Sequence, residues 1–191
     1  DAVVGIKATL SREQINKLKR WTLFKSSKVD EIILDFEIQG RPIMQGRPIM
    51  QDGPLPPLDS VFYNSDQKTS YGITLIGGPK HGGQKNRIWI LDTGIDGNHP
   101  DLALSLRDTR SLARSYTGNN PLVDQSGHGT HCAGIAAAFK QDTMGIGMNG
   151  VAPGAPIISM QVMNGEGIGS WINVLFALNH IAINKNNQDI V

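Results

Sequence analysis

Apolar and polar positions follow two different rhythms along this chain. Near the amino end, Ile15, Leu18 and Trp21 recur at helical spacing and predict a helix with one face toward a core. Ser11 stands at its N-cap, Gln14 closes a capping box three residues later, and Leu10 is placed to staple onto Ile15. Ile32, Leu34, Phe36 and Ile38 then alternate with charged or less buried positions, the pattern of a half-buried strand. With the short apolar run at 3–6, this gives strand, helix, strand: a small α+β unit.

From residue 88 the rhythm changes. Ile88, Trp89, Ile90 and Leu91 form an apolar run that stops at Asp92 and Thr93-Gly94, which predicts a buried strand ending in a tight turn. An alanine-rich stretch predicts a helix from His128 to about Phe139. Residues 157–163 predict a second strand, and residues 171 to about 184 a second helix with Ile172, Leu175, Phe176 and Ala182 toward the sheet. Asp189-Ile190-Val191 opens a further strand. Alternating strands and helices point to an α/β fold, a parallel sheet flanked by helices and joined by right-handed crossovers.

Between the two parts, residues 39–51 contain Q-G-R-P-I-M twice, followed by D-G-P-L-P-P. Proline removes backbone donors and glycine removes stiffness, so this stretch is a linker or exposed loop and a candidate cleavage site. Two hexapeptides are too few for a solenoid. The expected organisation is an amino-terminal unit over 1–38, a linker and start of a second module over 39–70, and the larger module over 71–191.

Composition narrows the function classes. A chain of 191 residues holds one large domain, or one domain with a small appendage, and 22 glycines indicate many tight turns. A net charge of +1 provides no general attraction to nucleic acid or anionic membrane, and no apolar run approaches the ~18 residues needed to span a bilayer. The single cysteine, Cys132, cannot form an internal disulfide and leaves the redox compartment open. No signal-peptide pattern follows Asp1, so the chain reads as already cut at its amino end.

Two segments carry chemistry. In I-W-I-L-D-T-G-I-D-G, Asp92 sits at a strand's carboxyl end, where open α/β sheets collect their reactive groups. In G-H-G-T-H-C-A-G, His128 stands between two glycines at a helix start, where the backbone can approach a neighbouring element closely and leave the ring free. An acid followed by a base is half of a catalytic triad. The bland readings are a turn-forming aspartate and a helix-start histidine without a role. His131, three positions after His128, raises a metal pair on one helix face, but H-E-x-x-H and a third ligand are lacking. Cys132, four positions after His128, should lie one turn below it, as a small buried hydrophobe or as a point of mercurial sensitivity.

Both segments resemble the Asp and His motifs of the subtilisin-like serine proteases, and H-G-T-H-C is similar to the proteinase K branch. The resemblance runs over residues 71–191, and S-Y-G-I-T-L-I-G-G resembles a stretch near the start of mature subtilases. It implies a secreted endopeptidase acting on protein or peptide substrates. His128 would serve as general base and then acid, with Asp92 holding its tautomer. The family's serine and oxyanion-hole asparagine lie beyond the strand opened at Asp189. The chain alone is therefore expected to be inactive, its partner being the missing carboxyl-terminal half of the catalytic domain.

The same resemblance makes the amino-terminal unit, with Asp35 and Glu37, similar to the second half of an inhibitory pro-segment. It makes Gly167, Ile168 and Gly169 part of an edge that pairs with extended substrate. It further implies structural calcium at Asp101 of H-P-D-L, with Asp142 supplying a second oxygen. Two other functions compete. One is a serine-less member of the same fold kept as a binding module. The other is an aspartic protease, because L-D-T-G also resembles that family's loop. Ile95, however, stands where that family has Ser, Thr or Ala, and the G-H-G-T-H-C-A-G segment would then go unexplained.

Overall fold

The computed structural model describes residues 11–14, 37–39, 63–64, 69–81, 85–140 and 147–191. Ile15, Leu18, Trp21, the start of the predicted strand at Ile32, the doubled hexapeptide and Asp142 lie outside the described residues. At the first described segment the capping box is present. Ser11 N–H donates to Gln14 Oε1 at 2.7 Å, and Gln14 N–H donates to Ser11 Oγ at 3.3 Å.

The described elements, in order, are β1 (Glu37–Gln39), β2 (Tyr63–Asn64), β3 (Thr69–Ser70), α1 (Tyr71–Leu75), β4 (Ile88–Asp92), a 3₁₀ turn (Pro100–Leu102) running into α2 (Ala103–Leu106), a second 3₁₀ turn (Arg110–Leu112), β5 (Arg114–Ser115), α3 (His128–Ala137), β6 (Ile157–Gln161), β7 (Ile168–Ser170) and α4 (Trp171–Asn184). Parallel strands β4, β6 and β5 form the main sheet, with β6 in the middle. Ile190 adds to the free side of β4 through a parallel bridge to Ile88. That bridge falls within Asp189-Ile190-Val191, the segment expected to open a further strand.

Every residue of β6 is buried, as a central parallel strand covered on both faces requires. Its side chains sort the core into two layers. Ile157 joins Ile95, Leu102, Leu106, Ala133 and Ala137 under α3, with Ile88 and Ile90 packed alongside. Ile158, Met160 and Val162 join Trp89, Ala177 and Ile181 under α4, with Leu91 alongside. The period of two along β4 and β6 therefore assigns one helix to each face.

The structure corrects two expectations. The inward face of α4 is Asn173, Ala177 and Ile181, not the face through Ile172, Leu175, Phe176 and Ala182, and Ala182 is exposed. Apolar residues surround this helix, so periodicity alone selects no face; the small Ala177 wins because it permits close approach to Trp89 and Ile158. The helix at His128 ends at Ala137, because Ala138 turns to an extended conformation at ψ 138°.

One carboxylate anchors the far edge of the sheet. Asp189, its side chain 1% exposed, accepts from Arg87 at 2.7 Å, from Trp89 Nε1 at 2.9 Å and from Asn186 N–H at 3.0 Å. Burial by itself raises its pKa, but the Arg87, Trp89 and Asn186 bonds together outweigh that and hold it at about 2.

Candidate active site

The period of two that sorts the core also aims Asp92. It follows Ile88 and Ile90 on the α3 side of β4, so its carboxylate emerges under the first turn of α3. His128 is the first residue of that helix. Its Nδ1–H donates to Asp92, with both carboxylate oxygens at 2.8 Å, and Thr93 N–H holds Oδ1 from the other side at 2.7 Å. Because a carboxylate only accepts, Nδ1 carries the hydrogen and Nε2 keeps its lone pair for another partner. The acid is largely shielded, at 10% side-chain exposure, while the ring is open at 34%.

Two glycines frame His128 for different reasons. Gly127 is the N-cap at φ 82°, a left-handed turn that starts the helix and has open space around it. Gly129 is a packing requirement, since a Cβ there would collide with the Gly94 carbonyl oxygen.

Two supporting polar residues are absent from the sequence reading. Gln161, 2% exposed at the end of β6 and paired in register with Asp92, donates from Nε2 to Thr93 O at 2.7 Å. Its Oε1 accepts from Ser115 at 2.8 Å and from Thr117 at 3.1 Å. A glutamine inside the apolar run I-I-S-M-Q-V is the signal that could have marked it. Asp124 is the other, and its carboxylate binds the Thr93 hydroxyl at 2.9 Å and the first turn of α3.

An acid beneath an imidazole at the carboxyl end of a parallel strand can hold a base in one tautomer for proton transfer. A family model described as the subtilase family matches residues 83–191. The chain belongs to the subtilase family. It is 37% identical to subtilisin E of Bacillus subtilis (strain 168) over 142 residues, 70% of this chain and 34% of that protein. Thermitase of Thermoactinomyces vulgaris is 37% identical over 107 residues, 52% of this chain and 34% of that protein. Among solved structures, sphericase aligns with a TM-score of 0.53 at 32% identity, covering 63% of this chain and 40% of its own. The chain thus spans about a third of the length of the subtilases it matches.

The other expected site residues are spread around this dyad. Asn164 to Ile168 close a turn in which Asn164 Oδ1 accepts from Glu166 N–H and Ile168 N–H, each at 3.0 Å. Ile168 and Gly169 then enter β7, which pairs antiparallel with β1: Glu37 faces Ser170, Ile38 faces Gly169 and Gln39 faces Ile168. A Cβ at Gly169 would collide with Val162 O and reach 3.2 Å from the Ile38 side chain. Gly167 is buried in the turn.

Cys132 lies beneath the imidazole, its Sγ 3.8 Å from His128 Nδ1. Burial pushes its thiol pKa up, and the adjacent carboxylates of Asp92 and Asp124 push it further. With Asp92 and His128 it forms a trio of potential ligand atoms within 4.8 Å of one another; His131 is not in it and is exposed.

Asp101 is 8% exposed at the start of the 3₁₀ turn, where its Oδ2 accepts from Met148 N–H at 3.1 Å. A Cβ at Gly147 would come within 2.8 Å of Oδ1, so this glycine leaves that oxygen its space. Asp101 offers one carboxylate here. Among the described residues no group of three acidic, histidine or cysteine ligands includes it.

Proposed function

We propose that this chain is the amino-terminal part of a subtilisin-like serine endopeptidase, carried as a proenzyme. The 2.8 Å contact between His128 Nδ1 and Asp92 supports this reading above all. In it, His128 Nε2 takes the proton of a serine hydroxyl as that oxygen bonds to the substrate carbonyl carbon. It returns the proton to the amine nitrogen as the C–N bond breaks, while Asp92 stabilises the imidazolium. This chain contributes the acid and the base. The serine and oxyanion donors would come from the carboxyl-terminal half of the catalytic domain, so the chain by itself is inactive.

The division into an inhibitory pro-segment piece (1–38), a linker (39–70) and a catalytic part (71–191) belongs to the same proposal. The antiparallel pairing of β1 with β7 supports it, because added strands are how an edge takes extended peptide, and Gly167, Ile168 and Gly169 would then bind substrate. Cys132 after G-T-H supports a place near the proteinase K branch. Asp101 would hold a structural calcium together with Asp142; when bound, the ion would neutralise the buried Asp101 carboxylate. The likeness to subtilisins supports secretion as part of this reading. An aspartic protease would need a second carboxylate against Asp92, and its partner here is an imidazole.

The test is hydrolysis by the complete enzyme. His128→Ala and Asp92→Ala should each lower kcat by about 10⁴-fold or more, the scale known for subtilisin itself. A serine-directed fluorophosphonate should inhibit, and pepstatin should not. Full activity in His128→Ala would overturn the proposal.

A further inference from the structure

Asp124 lies in the loop before α3, and five hydrogen bonds converge on its carboxylate. Oδ1 accepts from the Thr93 hydroxyl at 2.9 Å, Ser126 N–H at 3.2 Å and Gly127 N–H at 2.9 Å. Oδ2 accepts from Thr130 N–H at 2.8 Å and from the Thr130 hydroxyl at 2.6 Å. Gly127, the N-cap, has no side chain to cap with, so this acid three residues upstream does the capping.

The two threonines extend the clamp to both halves of the dyad. Thr93 adjoins Asp92; its oxygen gives its hydrogen to Asp124 and accepts Gly129 N–H, next to His128, at 3.1 Å. Thr130 gives its hydrogen to Asp124 and accepts Asp96 N–H at 2.9 Å, tying the helix to the loop after β4. Each hydroxyl thus donates once and accepts once. A carboxylate, which only accepts, satisfies every donor that points at Asp124, whereas an amide would turn its NH₂ toward at least two of them.

We propose that Asp124 is the positioning residue of the dyad. Through Thr93 and Thr130 it sets the strand end against the helix start, and so fixes the Asp92–His128 contact and the imidazole tautomer without touching the ring. The inference rests on the catalytic reading of the dyad for its effect on turnover, but not for its effect on the ring.

The test has two arms. In the 191-residue chain with ¹⁵N-labelled histidine, the His128 ring should show the signature of hydrogen on Nδ1 and a downfield Nδ1–H proton. Asp124→Asn and Thr93→Val should lose both signals while the far-UV spectrum stays folded, and Thr93→Ser should restore them. A cap that only stabilised the helix would lower the melting temperature and leave the ring signals in place. Thr93→Val, which removes two bonds where Asp124→Asn disturbs five, carries the test if Asp124→Asn fails to fold.

In the complete enzyme, Asp124→Asn and Thr93→Val should lower kcat on the order of 10²-fold with KM nearly unchanged. If His128→Ala and Asp92→Ala leave hydrolysis intact, the catalytic reading falls. If those two abolish hydrolysis while folded Asp124→Asn and Thr93→Val keep wild-type kcat and ring signals, this inference alone is overturned.

Discussion

Gly129 rests against Gly94 so closely that a Cβ on the helix glycine would collide with the carbonyl oxygen of the loop glycine and come to 3.1 Å from Asp92 Cβ. The helix bearing His128 is thereby seated directly on the strand end. Gly129→Ala should cost about 1–3 kcal/mol or more, since backbone cannot yield as a side chain can. Gly134→Ala, on the same helix but facing open space, should instead stabilise by about 0.5–1 kcal/mol. Thermal unfolding of the two variants, read side by side, checks the pair.

Cys132 should react slowly with iodoacetamide at neutral pH, because burial and then the Asp92 carboxylate disfavour its thiolate. Asp92→Asn removes one of those causes and should speed alkylation at a given pH. With a single thiol in the chain, intact mass follows the reaction without ambiguity. A mercurial, which binds the sulfur 3.8 Å from the ring nitrogen, should also perturb the His128 signals and leave them unchanged in Cys132→Ala.

Acid should loosen the edge of the sheet through Asp189. Its folded pKa of about 2 lies below the ordinary 3.8, so its contribution to stability is fully present above about pH 4 and disappears as pH falls through about 2. Asp189→Asn should melt at a lower temperature than the wild type at pH 6. The gap should narrow as both are taken toward pH 2. A gap that stays constant across that range would show that the Arg87 and Trp89 bonds do not depend on the charge.

The pairing of β1 with β7 leads to a binding measurement. A peptide of residues 1–51 should inhibit the mature enzyme when titrated against it, and a peptide of residues 1–36, which lacks Glu37–Gln39, should be at least tenfold weaker. Equal potency of the two peptides would mean that the strand contributes nothing to the association.

Legibility followed the type of constraint. Asp92 and His128 stand out in the sequence because their surroundings restrict the chain: an apolar strand must stop at the acid, and a glycine must follow the base where Gly94 approaches. Asp124 does not stand out. A carboxylate in V-D-Q-S-G looks like any loop acid, and its meaning depends on Thr93, 31 positions earlier. The face of α4 is hidden for the opposite reason, an excess of apolar residues, and only the shape of Trp89 and Ile158 decides which of them turn inward. Strand β5 is two residues long, Arg114 and Ser115, and carries no alternation to detect; its place is set by pairing with Met160 and Gln161.

The order of the strands decides what stands beside Asp92. From the carboxyl end of β4 the chain leaves toward β5, and from the neighbouring carboxyl end of β6 it leaves the opposite way, through α4 to the bridge at Ile190. Each connection crosses the neighbouring strand, one over the face of Leu102 and Leu106 and the other over the face of α4. Their carboxyl ends stay side by side at Asp92 and Gln161, and Val162 N–H still reaches Asp92 O at 2.9 Å before the chain turns out to Gly169. The acid at the end of one strand and the segment that runs out to β7 from the end of the other are therefore neighbours because of this winding, whatever residues fill the loops.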